Sequence, residues 1–531
     1  MKKFLKFLCV ILACAMLFSI AAACGRSGGK LESDEKGVYY LDEDGVKVYK
    51  LIMMDHGVPF TTNQFKYRER VMDAINEKLY KDLGYKVDIT VEVYADDTFA
   101  DKLATRLADG DQLDLVRQTS KDNLNSYVDQ GIAKKLDKYL ATAENLNENL
   151  SDSIIKEVTY DGSVYALPLD QLPVNAVTYV RGDLLKKAGY DNLSTLQDWE
   201  GFLQKVKDGG TDYLDSKMET VPLMGNLATM QEMFLGYFTD TPGTFFNSEN
   251  KMLPVYFNEG YKQFILKMRE WMQKGYIDST LFNFNEFGMN SYVSNQITAA
   301  VACGIYSLEF GSLLTVNKAH PEWDISPLLP ITKTGGKYAS KGLMGEYLFV
   351  PYCAKSAGVA VDIVDWMLFN EENYMLMRCG IEGVTYTVDE NKVIDIPEAE
   401  KTASITSPSD LIGRFTCGTS VEYNMGYPSA SCPEGAKEAY AQSLAITDDK
   451  LYVDPSIYVT SSLSDTELGK MTSANSDANK VIQQLLTMKG SAFQISDEKF
   501  EETWTKMLSD YTSAAGSVYE KLTQKYNEMF K

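Results

Sequence analysis

Few residues in this chain can support covalent or metal chemistry. There are two histidines, His56 and His320, far apart in sequence, which argues against an imidazole-built metal site or a histidine-dependent triad. The eight cysteines show no Cys-x-x-Cys spacing, so a zinc site is not expected either. With 74 acidic residues, some pair will always resemble an acid–base couple. No Gly-x-Ser-x-Gly, phosphate loop or His-Glu-x-x-His accompanies them. Asp42-Glu43-Asp44-Gly45 starts like a calcium loop but lacks the later ligands, and reads as a hairpin turn. The chemistry left is non-covalent recognition, with no cofactor and no metal, and an enzyme is not expected.

The first residues say where such recognition takes place. Lys2, Lys3 and Lys6 precede an apolar run, residues 7–23, that closes on Ala21-Ala22-Ala23. A basic start, a short apolar stretch and small residues before the cut make a secretory leader, too short for the ~20 residues of a spanning helix. The cysteine that follows, Cys24-Gly25, resembles the lipobox of bacterial lipoproteins, which implies that Cys24 is acylated and holds the mature chain on the membrane. An ordinary leader with an incidental cysteine is the alternative. Gly25-Arg26-Ser27-Gly28-Gly29-Lys30 reads as a flexible leash, and no later stretch approaches 18 apolar residues. Losing three lysines with the leader takes the formal charge from −22 to −25, which repels phosphate backbones and argues against nucleic acid. Five cysteines remain after Cys9, Cys14 and Cys24, an odd number. Cys417 and Cys432 either pair or stay as thiols, as do the rest.

The elements that follow suggest an α/β chain. Residues 46–54 read as a strand that ends in the turn Asp55-His56-Gly57-Val58-Pro59. Thr62-Asn63 can cap a helix whose apolar face holds Phe65, Val71, Met72, Ile75 and Leu79, closed by Gly84. Val87, Ile89, Val91 and Val93 alternate with polar residues in a second strand. A helix with Phe99, Leu103 and Leu107 stops at Asp109-Gly110, before a short strand at 113–116. This β-α-β-α-β order predicts an open parallel sheet, whose ligands sit beyond the strands' carboxyl ends. His56 and Arg117 stand at those ends.

Further on, Tyr165-Ala166-Leu167-Pro168-Leu169-Asp170-Gln171-Leu172-Pro173 precedes a strand with Val177, Tyr179 and Val180. Arg181-Gly182-Asp183-Leu184-Leu185-Lys186-Lys187-Ala188-Gly189 follows. This run resembles the first interlobe crossing of extracellular solute-binding proteins of the maltose-binding-protein class. Ala302-Cys303-Gly304-Ile305-Tyr306, Pro327-Leu328-Leu329-Pro330 with Gly335-Gly336-Lys337, Glu371-Glu372-Asn373 and Gly380-Ile381-Glu382-Gly383-Val384-Thr385-Tyr386 resemble that class in order, its large lipoprotein members above all. The resemblance covers residue 46 to the C-terminus.

It implies a two-lobe fold of open sheets flanked by helices. Residues 1–23 are the leader and 24–45 the lipidated linker. One lobe is expected at 46–173 plus 346–390, the other at 174–345 plus 391–531. The hinge is expected near Asp170-Gln171 and residues 343–346. A sugar presents polar edges and apolar faces, so its site needs flat rings and planar polar side chains. The 33 Tyr, 23 Phe and 5 Trp supply rings amply. The resemblance puts Tyr306, Phe234, Asp170 and Gln171 at the ligand, with Glu346 and Tyr347 at the second crossing. It further implies a monomer that captures a carbohydrate, an oligosaccharide above all, for the permease subunits of an ABC importer. A secreted polysaccharide-active enzyme or a peptide binder of the same fold are the alternatives. The C-terminal stripe Phe500, Trp504, Met507, Leu508 and Tyr511 reads as core.

Overall fold

The computed structural model describes residues 30–60, 65–118, 122–150, 152–170, 174, 176–284, 288–305, 312–340, 344–368, 370–390, 393–417, 434–487 and 496–530. The elements that frame the site begin with β1 (Glu32–Ser33), β2 (Val38–Leu41), β3 (Lys47–His56), α1 (Arg68–Leu83), β4 (Lys86–Tyr94), α2 (Asp96–Asp109), β5 (Leu115–Gln118) and β6 (Ala166–Asp170). They continue with β7 (Ala176–Arg181), α3 (Leu196–Gly209), β8 (Leu223–Met224), α4 (Leu227–Phe238), α5 (Glu259–Gln273), β9 (Ala300–Gly304), β10 (Ile325–Leu328) and β11 (Tyr338–Ser340). Then come β12 (Met344–Phe349), α6 (Ala357–Met367), α7 (Glu434–Leu444), β13 (Leu451–Val453), α8 (Asp465–Thr487) and α9 (Asp497–Phe530).

Two sheets carry the fold. The first has seven strands in the order β1-β2-β3-β5-β12-β6, with β4 on the far side of β3. β3, β4 and β5 are parallel, as the β-α-β-α-β pattern predicts. Gly84 and Gly110 end the two intervening helices with φ of 79° and 69°, a left-handed conformation that costs glycine nothing. The Asp42 turn is a hairpin between β2 and β3, with Gly45 at φ 78°. The second sheet has four strands in the order β8-β9-β7-β10, all but β8 and β9 pairing antiparallel.

Each sheet has its own apolar core. Tyr49, Leu51, Met53, Ile75, Leu115 and Phe349 belong to the first, Trp199, Phe202, Phe264 and Trp271 to the second. Phe500, Trp504, Met507 and Tyr511 of α9 are buried in the second, and Leu508 packs against it, as the C-terminal stripe predicts. Asp114 braces the first sheet. Its carboxylate accepts the amides of Ile52, Lys355 and Ser356 at 2.8–2.9 Å, tying β3 to the start of α6, while burial pushes its pKa up.

Among the described residues the chain changes from one core to the other three times. β6 leads into β7, and β11 leads into β12, the strand that pairs with β6. The third passage lies after Cys417 rather than near residue 390. Leu411, Ile412, Phe415 and Cys417 are buried in the first core, and the Arg68 guanidinium donates to the carbonyls of Ile412 and Arg414. Residues 393–417 therefore pack with the first sheet, not with the second as their place in sequence suggested. Among the described residues no helix is long and apolar enough to cross a membrane.

Candidate ligand-binding site

The carboxyl ends of β3 and β5 meet β12 in a compact ionic network. Asp55 is fully buried. Arg117 Nε donates to its Oδ1 at 2.5 Å, and Arg414 Nη1 donates to its Oδ2. Arg117 Nη1 reaches Glu346 Oε2 at 2.7 Å. Both guanidiniums also donate to the His56 carbonyl at 3.0 Å. Burial works against the charge of Arg117, but the Asp55 and Glu346 carboxylates outweigh it and hold its pKa above the usual arginine value. The network tops the sheet with planar, hydrogen-bonding groups that are fixed in place.

An apolar rim adjoins it. Val58 is 84% exposed, and Phe60 and Phe65 lie edge to face with centroids 4.9 Å apart. The Arg414 guanidinium sits 6.0 Å from the Phe60 ring centroid. Gly57 lets this approach happen. A Cβ there would come within 2.7 Å of Arg414 Nη2, and its φ of 149° is one that L side chains rarely adopt.

The second lobe contributes a cavity of about 420 Å³, lined among others by Gln231 and Glu232 of α4, Tyr256, Tyr452, Asp454 and Asn475. That volume lies in the range of small-molecule pockets. Its walls are braced. Asp454 accepts the Thr244 amide at 2.7 Å and the Ser456 amide and hydroxyl at 2.9 and 2.6 Å. The Tyr452 hydroxyl donates to the Thr244 carbonyl at 2.5 Å, and the Tyr256 hydroxyl donates to Asn479 at 3.2 Å. Burial pushes the Tyr256 and Tyr452 phenols up, so both stay protonated. Ala339 of β11 also lines the cavity, and β11 ends four residues before β12 begins, at most about 14 Å of chain. The cavity thus adjoins the second passage between the lobes. At the first passage, the Val174 amide donates to the Ser443 hydroxyl at 3.1 Å, and that hydroxyl donates back to the Val174 carbonyl, pinning the chain to α7.

The residues singled out from sequence fare unequally. Arg117 and Glu346 meet in the network, Glu346 with a third of its side chain exposed. His56 joins only through its carbonyl. Its ring stacks on Phe99 with centroids 3.5 Å apart and holds Asp96 through Nδ1 at 3.0 Å, which makes it chiefly a packing residue.

Phe234 and Tyr347 are corrections. Phe234 is fully buried, edge to face with Trp199 and Trp271 at 5.3 and 5.1 Å, and presents no surface to a ligand. Glu232, about 200° round the same helix, lines the cavity instead. Tyr347 follows Glu346 on a strand, where neighbours face opposite ways, and it is fully buried in the first core. The Asp170 backbone pairs with Met344, while Cys24, Gln171, Tyr306 and Cys432 lie outside the described residues. Cys417 is a free, buried thiol.

Arg414, Phe60 and the cavity residues had no sequence signal. Arg414 reaches Asp55 across 359 positions, and Asp454 and Asn475 come from separate elements. Among the described residues no group of three His, Cys, Asp or Glu can hold a metal ion.

Comparison with known proteins agrees with this architecture. The family described as bacterial extracellular solute-binding protein matches residues 71–401. A solved HMO-binding, ABC-transporter-associated solute-binding protein from Bifidobacterium longum infantis shares 16% identity over 92% of this chain and 99% of its own, with a TM-score of 0.61. The N-glycan transport solute-binding protein NgtS of Streptococcus pneumoniae shares 14% identity over 91% and 98%, at 0.59. FusA, an ABC-transporter substrate-binding protein of S. pneumoniae in complex with kestose, shares 16% over 91% and 99%, at 0.55. At these identities the likeness is one of fold. No curated sequence matches the chain significantly.

Proposed function

The chain belongs to the bacterial extracellular solute-binding proteins, and from that premise we propose that it captures a carbohydrate, an oligosaccharide, for an ABC importer. The observation that carries this reading is the second-lobe cavity. It offers phenol rings, the amides of Gln231 and Asn475 and carboxylates beside the strand that leads to β12, which carries Glu346. Rings suit the apolar faces of a sugar, and planar polar groups suit its hydroxyls. Three solved proteins of this fold point the same way: one binds HMO, one serves N-glycan transport and one is in complex with kestose. Closing the lobes would desolvate the sugar, and the closed form would dock on permease subunits.

Catalysis is not part of this reading.

A thermal-shift screen of the purified protein against neutral oligosaccharides and dipeptides tests the proposal. A ligand at a hundred times its Kd adds about 2.7 kcal/mol of stability. The melting temperature should rise with one class of oligosaccharide and with no dipeptide. A rise with dipeptides alone selects the peptide-binding alternative, and release of shortened sugars selects the enzyme.

Anchoring through an acylated Cys24 is proposed with it, supported by the leader and the leash that follows. Cys24→Ala should move the protein from the membrane to the soluble fraction, and a variant that still resists washing from membranes contradicts the anchor.

A further inference from the structure

We infer that the first lobe is held with the amino ends of β3 and β4 facing the lipid bilayer, an inference that rests on the acylation of Cys24 proposed above. β1 pairs antiparallel with β2, Glu32 opposite Tyr39, and β2 pairs antiparallel with β3, Tyr39 opposite Tyr49. β1 therefore runs the same way as β3, and the chain enters it from the end of the sheet where β3 begins.

This entry point is fixed to the lobe. Asp34 accepts the amides of Lys36 and Gly37 at 3.0 and 3.2 Å through Oδ1. Through Oδ2 it accepts Lys47 Nζ at 2.6 Å and the Tyr49 hydroxyl at 2.5 Å. The Lys36 carbonyl accepts the amides of Gly358 and Val359 at 3.0 and 3.3 Å, and Lys36 Nζ pairs with Asp362, which ties the turn to α6. Gly37 packs so closely there that a Cβ would come within 2.7 Å of the Ser356 Cα. Residues 32–41, expected as linker, are thus built into the first sheet, and the leash is the stretch before them.

Cys24 stands eight residues before Glu32. That is at most about 28 Å of chain, and about 16 Å on average for a flexible Gly/Ser-rich segment. His56 lies seven residues beyond Tyr49 on β3, so the carboxyl ends are about 23 Å past the point of entry. With those ends turned to the bilayer, the leash would be drawn out nearly straight along the lobe. With the amino ends turned to it, the leash stays slack, and its conformational entropy favours this orientation. The surface there suits lipid. Of the nine large apolar side chains left exposed among the described residues, Leu31, Leu41, Tyr80 and Leu83 lie at this end. Leu41 sits opposite Lys47, and Tyr80 and Leu83 are in the last turn of α1, just before β4. The acidic turn Asp42-Glu43-Asp44 is there too, with Lys86 on Asp42, so a zwitterionic surface fits better than an anionic one.

The test is energy transfer in the acylated full chain, extracted from membranes and placed on phosphatidylcholine vesicles that carry rhodamine-labelled lipid. A fluorescent unnatural amino acid replaces Glu43, in the turn before β3, or Asp97, in the first turn of α2 beyond the carboxyl end of β4. Transfer from position 43 should be at least twofold that from position 97. A Gly/Ser insertion of about 20 residues between Gly29 and Lys30 should remove most of the difference. Equal or greater transfer from position 97 overturns the inference and leaves the anchor standing. A difference that survives the insertion undiminished overturns the assignment of the orientation to the short leash. If the full chain does not float with the vesicles, the anchor falls and takes the inference with it.

Discussion

Replacing Asp55 by alanine should cost about 3–5 kcal/mol of folding stability, the usual penalty for stranding buried charge. Asp55 is fully buried and holds Arg117 through one oxygen and Arg414 through the other. Removing it leaves Arg117 with Glu346 and the His56 carbonyl. Arg414, whose side chain is only 20% exposed, is left with the His56 carbonyl. The damage also reaches residues 413–417, which Arg414 ties to the end of β3 together with the Cys417 thiol on the Met54 carbonyl. Asp55→Asn should lose a similar amount, since an amide accepts through one oxygen and carries no charge to balance two guanidiniums. Denaturant titration of the two variants against the wild type measures this. A loss under about 1 kcal/mol, the range of an exposed ion pair, would mean that the network is a surface feature and not the brace of the first lobe.

The sequence showed elements better than it showed faces. Alternation at Val87, Ile89, Val91 and Val93 predicted β4, and glycines at 84 and 110 predicted the helix ends, because each signal is local. The Pro168 to Asp170 stretch ends a strand of the first sheet, and the next strand, from Ala176, belongs to the second. Helix α4 does line a cavity, through Gln231 and Glu232, while Phe234 is buried on its other side. Met230, Met233, Phe234 and Leu235 are all buried, so its apolar surface runs too far round the helix for sequence alone to say which side meets a cavity. Glu346 and Tyr347 point to opposite sides of their strand, and the pleat leaves Glu346 partly exposed and Tyr347 buried.

The boundary near residue 390 failed for a different reason. What fixes residues 411–417 to the first lobe is a set of contacts with Asp55, Arg68 and the underlying core, hundreds of positions away, and no local pattern encodes them. The same is true of the second-lobe cavity, whose walls come from α4, the Tyr256 turn, β13, α8 and α9, each unremarkable by itself.

The proposed function requires the two lobes to close around a sugar. The passages from β6 to β7 and from β11 to β12 are short and leave from paired strands, so they can serve as a hinge that moves the lobes as bodies. A ligand that touches both the second-lobe cavity and the Arg117–Glu346 surface binds the closed form better than the open one. It must therefore shift the population towards it, by as much as that difference in affinity allows. Small-angle X-ray scattering of the mature chain, titrated with the neutral oligosaccharide that raises its melting temperature, reads this directly. The radius of gyration should fall towards the roughly 24 Å of a compact chain of this length, with a midpoint that matches the calorimetric affinity. A radius that stays constant while calorimetry shows the sugar site to be saturated would contradict the account.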